Sequence, residues 1–260
     1  VTVGKGANSV ATNTVLGVNA LDAAVTGANN TALGNGALGN NTSGPENTSV
    51  GSETLEANTT GQRNTAVGYR ALEDNVTGDY NTAVGAYALP ENTTGDHNVA
   101  IGRNALRYAT TADQNTAVGG LALDGTTTGD NNVAVGYYAL KANTTGTQNV
   151  SVGSLALDAQ TTQSNSTAIG YAALGANAIS GNTAVGHRSL ANNTTGAGNL
   201  AIGKDSLYTN STGNYNIAVG YDALQQNNAN NNTAVGHDAL KLNTTGTQNT
   251  AIGNNSLDAN

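Results

Sequence analysis

NTAVGYRALEDNVTGDYNTAVGAYAL, residues 64–89, writes one phrase twice: Asn-Thr-Ala-Val-Gly, then Ala-Leu, then a polar loop, with a restart after seventeen residues. The phrase runs through the whole chain. Taking the Gly after the small-aliphatic pair as an anchor gives Gly17, Gly34, Gly51, Gly68, Gly85, Gly102, Gly119, Gly136, Gly153, Gly170, Gly186, Gly203, Gly220, Gly236 and Gly253. Every step is seventeen residues except two of sixteen, into Gly186 and Gly236. A repeat this regular marks a stacked architecture, in which one copy cannot bury its apolar residues alone and must rest on its neighbours.

The columns of the repeat describe one coil. The residue before the anchor is Val, Ile or Leu in all fifteen copies, as at Val67, Val84 and Ile101, and Leu stands four after it in all fifteen, as at Leu72, Leu89 and Leu106. These two columns are the expected core. Two before the anchor stands Ala or Ser in every copy but Val15, and three before it a β-branched residue in every copy but Leu200. Alternate residues of a strand share a face, so Thr65 and Val67 are expected to point inward together and Ala66 the other way. Asn stands four before the anchor in fourteen copies and seven after it in eleven, which suits amide ladders between stacked coils. Gly, Asn and Thr are poor helix formers and no 3.6-residue apolar period survives, so the pattern reads as strand. The polar loop is typically Asn-Thr-Thr-Gly, as at 92–95, and its Gly is expected to supply a positive φ for a tight reversal.

The expectation is an all-β chain: a parallel β-roll or β-solenoid of about fifteen 17-residue coils, forming a single repeat domain over 1–260. At about 4.8 Å per coil this is a rod about 70 Å long. Neither end carries a polar cap, so its strand edges are expected to be open. Both faces of the strand suit burial, which favours an oligomer with the Ala column at a subunit interface.

Composition narrows the function. The 260 residues carry a net charge of −8, with no Cys, Met, Trp or Phe, and with 34 Gly and 2 Pro. Without Cys there are no disulfides or zinc-thiolate sites. Acidity with singly scattered Lys and Arg gives no phosphate-binding stripe, so nucleic acid is not an expected partner. No apolar run approaches the ~18 residues of a membrane span, so no membrane insertion is expected. The start, VTVGKGANSV, has no initiator Met and no signal-peptide core, which reads as a mature or excised piece.

The copies TAVGYRAL, VAIGRNAL, TAIGYAAL and LAIGKDSL resemble the SVAIGxxAxA repeats in the left-handed β-roll heads of YadA-like trimeric autotransporter adhesins. They are more similar still to the TAVGxxAL and NTTG repeats of phage tail fibres and bacterial surface fibres, many of which end in a self-cleaving endosialidase-type chaperone domain. The resemblance covers essentially the whole chain. It implies a homotrimeric fibre segment, extracellular, at a cell surface or on a virion. The period departs from that of the adhesin heads, the extra residues falling in the Asn-Thr-Thr-Gly loop.

Catalytic and ligand motifs are sparse. GNGALG at 34–39 matches G-x-G-x-x-G by letter, but the repeat explains each of its residues and no βαβ context surrounds it. His97, His187 and His237 read as surface residues, the last two sharing a column three coils apart. The TGD turns at Asp79, Asp96 and Asp130 hint at calcium without the calcium-roll nonapeptide, and adjacent Glu73 and Asp74 build no glycosidase pair. No cofactor and no metal site are therefore expected. An ice-binding reading fails on a Thr column that is interrupted and expected to face inward. N-x-[ST] appears at Asn58, Asn92, Asn143, Asn193 and Asn243, with variants at Asn41, Asn75 and Asn210, so a column of glycans is allowed beside the plainer reading of turn chemistry. Tyr69, Tyr137, Tyr171 and Tyr221 follow the anchor and could contact sugar or protein. The reading is a non-enzymatic stiff spacer at a surface, with itself as partner in a homotrimer or end-to-end filament. A receptor- or glycan-binding adhesin rod and a polysaccharide-cleaving, tailspike-like enzyme are its alternatives.

Overall fold

A computed structural model describes residues 2–4, 10–23 and 25–258. The fold is all-β, and among the described residues no helix is long and apolar enough to cross a membrane. The chain forms two compact units, Val1–Asn131 and Asn132–Asn260. The division interrupts no repeat step, since Gly119 and Gly136 are seventeen residues apart like their neighbours.

The first unit holds β1 (Thr2–Gly4), β2 (Thr14–Gly17), β3 (Thr31–Leu33), β4 (Thr48–Val50), β5 (Thr65–Val67), β6 (Thr82–Val84), β7 (Val99–Ile101) and β8 (Thr116–Val118). From β2 to β8 the strands pair in parallel and in chain order, with like residues in register: Ala66 lies beside Ala83, and Ala83 beside Ala100. The edge of β2, expected to be open, is covered. β1 runs antiparallel to it, with Val3 opposite Leu16. The second unit holds β9 (Val133–Val135), β10 (Val150–Val152), β11 (Thr167–Ile169), β12 (Thr183–Val185), β13 (Leu200–Ile202), β14 (Ile217–Val219), β15 (Thr233–Val235) and β16 (Thr250–Ile252), again parallel and consecutive. Both sixteen-residue steps keep this register, Thr167 pairing with Thr183 and Ile217 with Thr233. The loop absorbs the lost residue, as loops do. Each unit is thus a β-solenoid. Its strands are only three or four residues long, but the ladder continues round the coil, as in Leu72 N–H to Ala88 O (3.0 Å) and Thr93 N–H to Thr110 O (2.8 Å).

The strand faces are the reverse of the sequence expectation. In β5, Ala66 is fully buried while Thr65 and Val67 are half-buried, and the other full strands repeat the pattern. Val84 and Ile101 are exposed, the latter by 39%. The core is therefore Ala and Leu, with Leu72, Leu89 and Leu106 fully buried as expected. Two backbone ladders facing each other across one coil leave little room on the strand side, which a methyl or hydroxymethyl fills in every full coil but that of β2, where Val15 is buried. Packing density, rather than hydrophobicity rank, decides which residue enters. The same narrow interior accounts for a chain without Phe, Trp or Met.

Turning is also achieved differently from expectation. Positive φ falls on the anchor glycines, on the residue two after them (Arg70, φ 55) and on all fifteen column leucines, with φ between 47 and 53. The loop glycine is needed for space. A Cβ on Gly78 would lie 2.5 Å from both Asn75 Oδ1 and the Gly95 carbonyl. The loops of unchanged length carry the converse: where the loop Gly is replaced, by Ala112 and Gln163, the Asn three residues earlier is replaced too, by Ala109 and Gln160.

Two amide ladders complete the interior. The Asn seven after the anchor donates to its predecessor, Asn75 Nδ2 to Asn58 Oδ1 (2.8 Å) and Asn92 Nδ2 to Asn75 Oδ1 (2.7 Å), and also to the loop Gly carbonyl. Asn92 Oδ1 has no partner, because the next rung is Ala109. The Asn four before the anchor accepts the next coil's backbone N–H, as in Asn81 N to Asn64 Oδ1 (2.8 Å). Buried polar groups are tolerable when paired in this way.

Candidate functional site

Outward columns supply the candidate surfaces. In each unit, the residues one and three before the anchor form a continuous strip of Val, Ile, Leu and Thr on the outer side of the sheet. Val67, Val84 and Ile101 belong to this strip, not to the core. Thr faces outward with them, so the inward orientation held against an ice-binding array does not apply. The interruptions at Val99, Val133, Val150, Leu200 and Ile217 remain.

The expected glycan acceptors lie inside. Asn58, Asn92, Asn143, Asn193 and Asn243 are fully buried, as are Asn41, Asn75 and Asn210. Their amide nitrogens donate to loop carbonyls, 3.0 Å for Asn58 to Gly61 and 2.9 Å for Asn193 to Gly196. An amide committed in this way is no acceptor for a glycan in the folded coil; the sequon letters are a by-product of the ladder.

The TGD aspartates form a stack. Asp79 N donates to Asp96 Oδ1, Asp96 N to Asp113 Oδ1 and Asp113 N to Asp130 Oδ1, at 2.7–2.8 Å. Like charges about 4.8 Å apart repel by roughly 1 kcal/mol in a water-like dielectric. The second unit performs the same job with a neutral amide, Ala197 N donating to Asn214 Oδ1 (2.8 Å). Asp96→Asn keeps both bonds and removes one charge. It is expected to raise the stability of the first unit by about 1 kcal/mol at low ionic strength, with the gain fading in high salt. Thermal unfolding of both proteins at two salt concentrations checks this; a salt-independent gain would have another cause.

Two hollows lie in the first unit. One, of about 270 Å³, is lined by Asn19, Asp22, Asn35, Asn40, Glu53 and Glu56 among others. Glu53, Glu56 and Glu73 bring carboxylate oxygens within 4.8 Å of one another. Arg70 already serves this group, its Nε 2.5 Å from Glu53 and 3.5 Å from Glu73. Burial pushes the Glu73 carboxyl up from its ordinary value, while Arg70 opposes the shift. The other hollow, of about 250 Å³, is lined by Tyr87, Arg103, Asn104 and Arg107.

The column next to the anchor carries the rings. Tyr171 stacks on His187 (5.4 Å, 17°) and Tyr221 on His237 (5.2 Å, 10°), with Lys204 Nζ 4.9 Å from the Tyr221 ring. His97 stacks on Tyr80 at 4.9 Å. Stacked rings cover one another's faces. Tyr69, Tyr137, Tyr171 and Tyr221 stay exposed.

No family model matches the sequence, and a search of curated proteins finds no match. The site must therefore be argued from this chain alone. GNGALG is occupied by the coil, Gly36 N donating to Val18 O and Leu38 N to Thr54 O. The residues that sequence reasoning passed over are Arg103, Asn104 and Arg107. Their signal was available: 102–107 is the one anchor-to-Leu stretch with Arg next to the anchor and a second Arg four residues on.

Proposed function

We propose that this chain is a structural fibre segment, a non-enzymatic spacer at a cell surface or virion that works as a homo-oligomer. A β-solenoid is compatible with a fibre or rod-like segment. The observation that carries the reading is the outward strip of Thr, Val, Ile and Leu, which repeats coil after coil on a sheet face already hydrogen-bonded within itself. Contiguous apolar surface of this kind marks an interaction site, and parallel sheets are normally covered on both faces. The Ala column, expected at an interface, is spent inside the coil, so the interface passes to the strip. The trimer follows the resemblance to surface-fibre repeats, and it needs no cofactor, nucleic acid or membrane insertion.

The test is solution mass by light scattering. The intact chain should give about three times its 25.8 kDa. Val67→Lys, Val84→Lys and Ile101→Lys together should give the single-chain mass with an unchanged β spectrum, because outward lysines do not enter the core. A single-chain mass for the unaltered protein overturns the oligomer. An adhesin rod is the second reading, favoured by the exposed Tyr residues.

A further inference from the structure

Among the described residues most cations have a carboxylate within 4 Å, on a neighbouring coil or in their own, and Lys141 has the Tyr138 ring instead, at 4.3 Å. Arg63 pairs with Glu46, Arg70 with Glu53 and Glu73, Arg188 and Lys204 with Asp205, and Lys241 with Asp222 and Asp238. In the second unit the carboxylate stands two after the anchor, as at Asp205, Asp222 and Asp238. Arg103 and Arg107 break the rule. Among the described residues neither has a carboxylate partner, and the position two after their anchor is the neutral Asn104. Asn104 is only 9% exposed, lines the hollow of about 250 Å³, and its side-chain amide has no hydrogen-bond partner among the described residues. Tyr87, half-buried, lines it too.

Two guanidinium groups without a carboxylate partner and an amide without a protein partner thus line one hollow, Arg107 also lying 4.8 Å from the Tyr108 ring. We infer that this hollow is an anion-binding site, in which a carboxylate or sulfate group supplies the charge that Asp205 and Asp222 supply elsewhere. Guanidinium forks match such oxyanions with paired hydrogen bonds. The Asn104 amide and Tyr87 hydroxyl are placed for a neighbouring hydroxyl or a second oxygen of the ligand. The volume is below that of drug-sized sites and suits one acidic sugar or a single charged group of a larger glycan. The site lies wholly in the first unit, uses no residue of the strip assigned to the interface, and stands or falls independently of the oligomer.

The experiment is calorimetric titration of the full chain with sodium glucuronate, sodium sulfate and glucose at constant ionic strength. Saturable binding of glucuronate, competed by sulfate and absent for glucose, is expected. Tighter glucuronate than sulfate assigns the sugar hydroxyls to Asn104 and Tyr87, and equal affinity assigns the site to the oxyanion alone. Arg103→Gln and Arg107→Gln should each weaken binding about tenfold, the value of a hydrogen bond to a charged group. Asn104→Asp should abolish it without loss of thermal stability, because aspartate already occupies this column with similar left-handed backbone, φ 53 in Asp205 and Asp222 against 58 in Asn104. Non-saturating heats with the unaltered protein, equal binding of glucose, or full affinity in the Arg103→Gln/Arg107→Gln double variant would overturn the site.

Discussion

Replacing Asn64 by Ala is expected to destabilise the first unit by about 3 kcal/mol, the sum of one orphaned buried donor and one lost hydrogen bond. The side chain holds two coils at once. Its Oδ1 accepts the Asn81 N–H at 2.8 Å, and its Nδ2 donates to the Gly78 carbonyl at 2.8 Å. After substitution the Asn81 N–H is buried with nothing to meet, while Gly78 O keeps only Asn75 Nδ2, at 3.0 Å. Ser166 provides the internal control. It occupies the same column, its Oγ is buried without a partner, and Ser166→Ala should therefore cost almost nothing. Denaturant unfolding followed by circular dichroism compares the two. Equal losses would show the column to be held by packing and not by its amides.

Gly78→Ala should cost about 3 kcal/mol, at the upper end for overpacking, because the new methyl meets backbone on one side and a ladder amide on the other. Its closest neighbours, Asn75 Oδ1 and Gly95 O, are both 2.5 Å from the added carbon. Asn75→Ala alone forfeits the bonds donated to Asn58 Oδ1 and Gly78 O, at 2.8 and 3.0 Å, and the one accepted from Asn92 Nδ2 at 2.7 Å. The double variant recreates the natural Ala109 and Ala112 pair, so it should be less destabilised than the sum of the single changes by about 1–2 kcal/mol. Strict additivity would mean that the Gly95 carbonyl alone sets the penalty, and that the paired replacement at 109 and 112 has no steric meaning.

The period, the anchor and the inward Leu were legible because they recur in every copy, and only a stacked coil gives a fixed step that meaning. The strand faces were not. Thr65, Ala66 and Val67 form a three-residue strand, too short for alternation to declare a side, and ranking by hydrophobicity placed Val67 inside. Tolerance pointed the other way. The Ala66 column admits almost only Ala and Ser, whereas the outward columns accept Thr, Val, Ile and Leu freely. The asparagines carried two readings at once, since Asn58 spells a sequon with its neighbours while its amide, as the ladder reading expects, joins the Asn column and serves Gly61 across the turn. The antiparallel β1 was out of reach of column reasoning, because it departs from the repeat rather than expressing it, whereas the hollow at Arg103 was marked only by two arginines that break their columns.

The column leucines all hold left-handed backbone, at φ between 47 and 53. For a residue with a side chain that conformation costs roughly 1–2 kcal/mol. A solitary coil has no neighbour to offset this, whereas a coil laid on a formed one gains a ladder bond, as Leu72 does from Ala88 O, and a covered side chain. Growth of each unit is therefore templated. The first coils are slow to nucleate, and later ones copy an existing edge quickly. The fold behaves less like a core that condenses than like a one-dimensional crystal that lengthens from a formed edge.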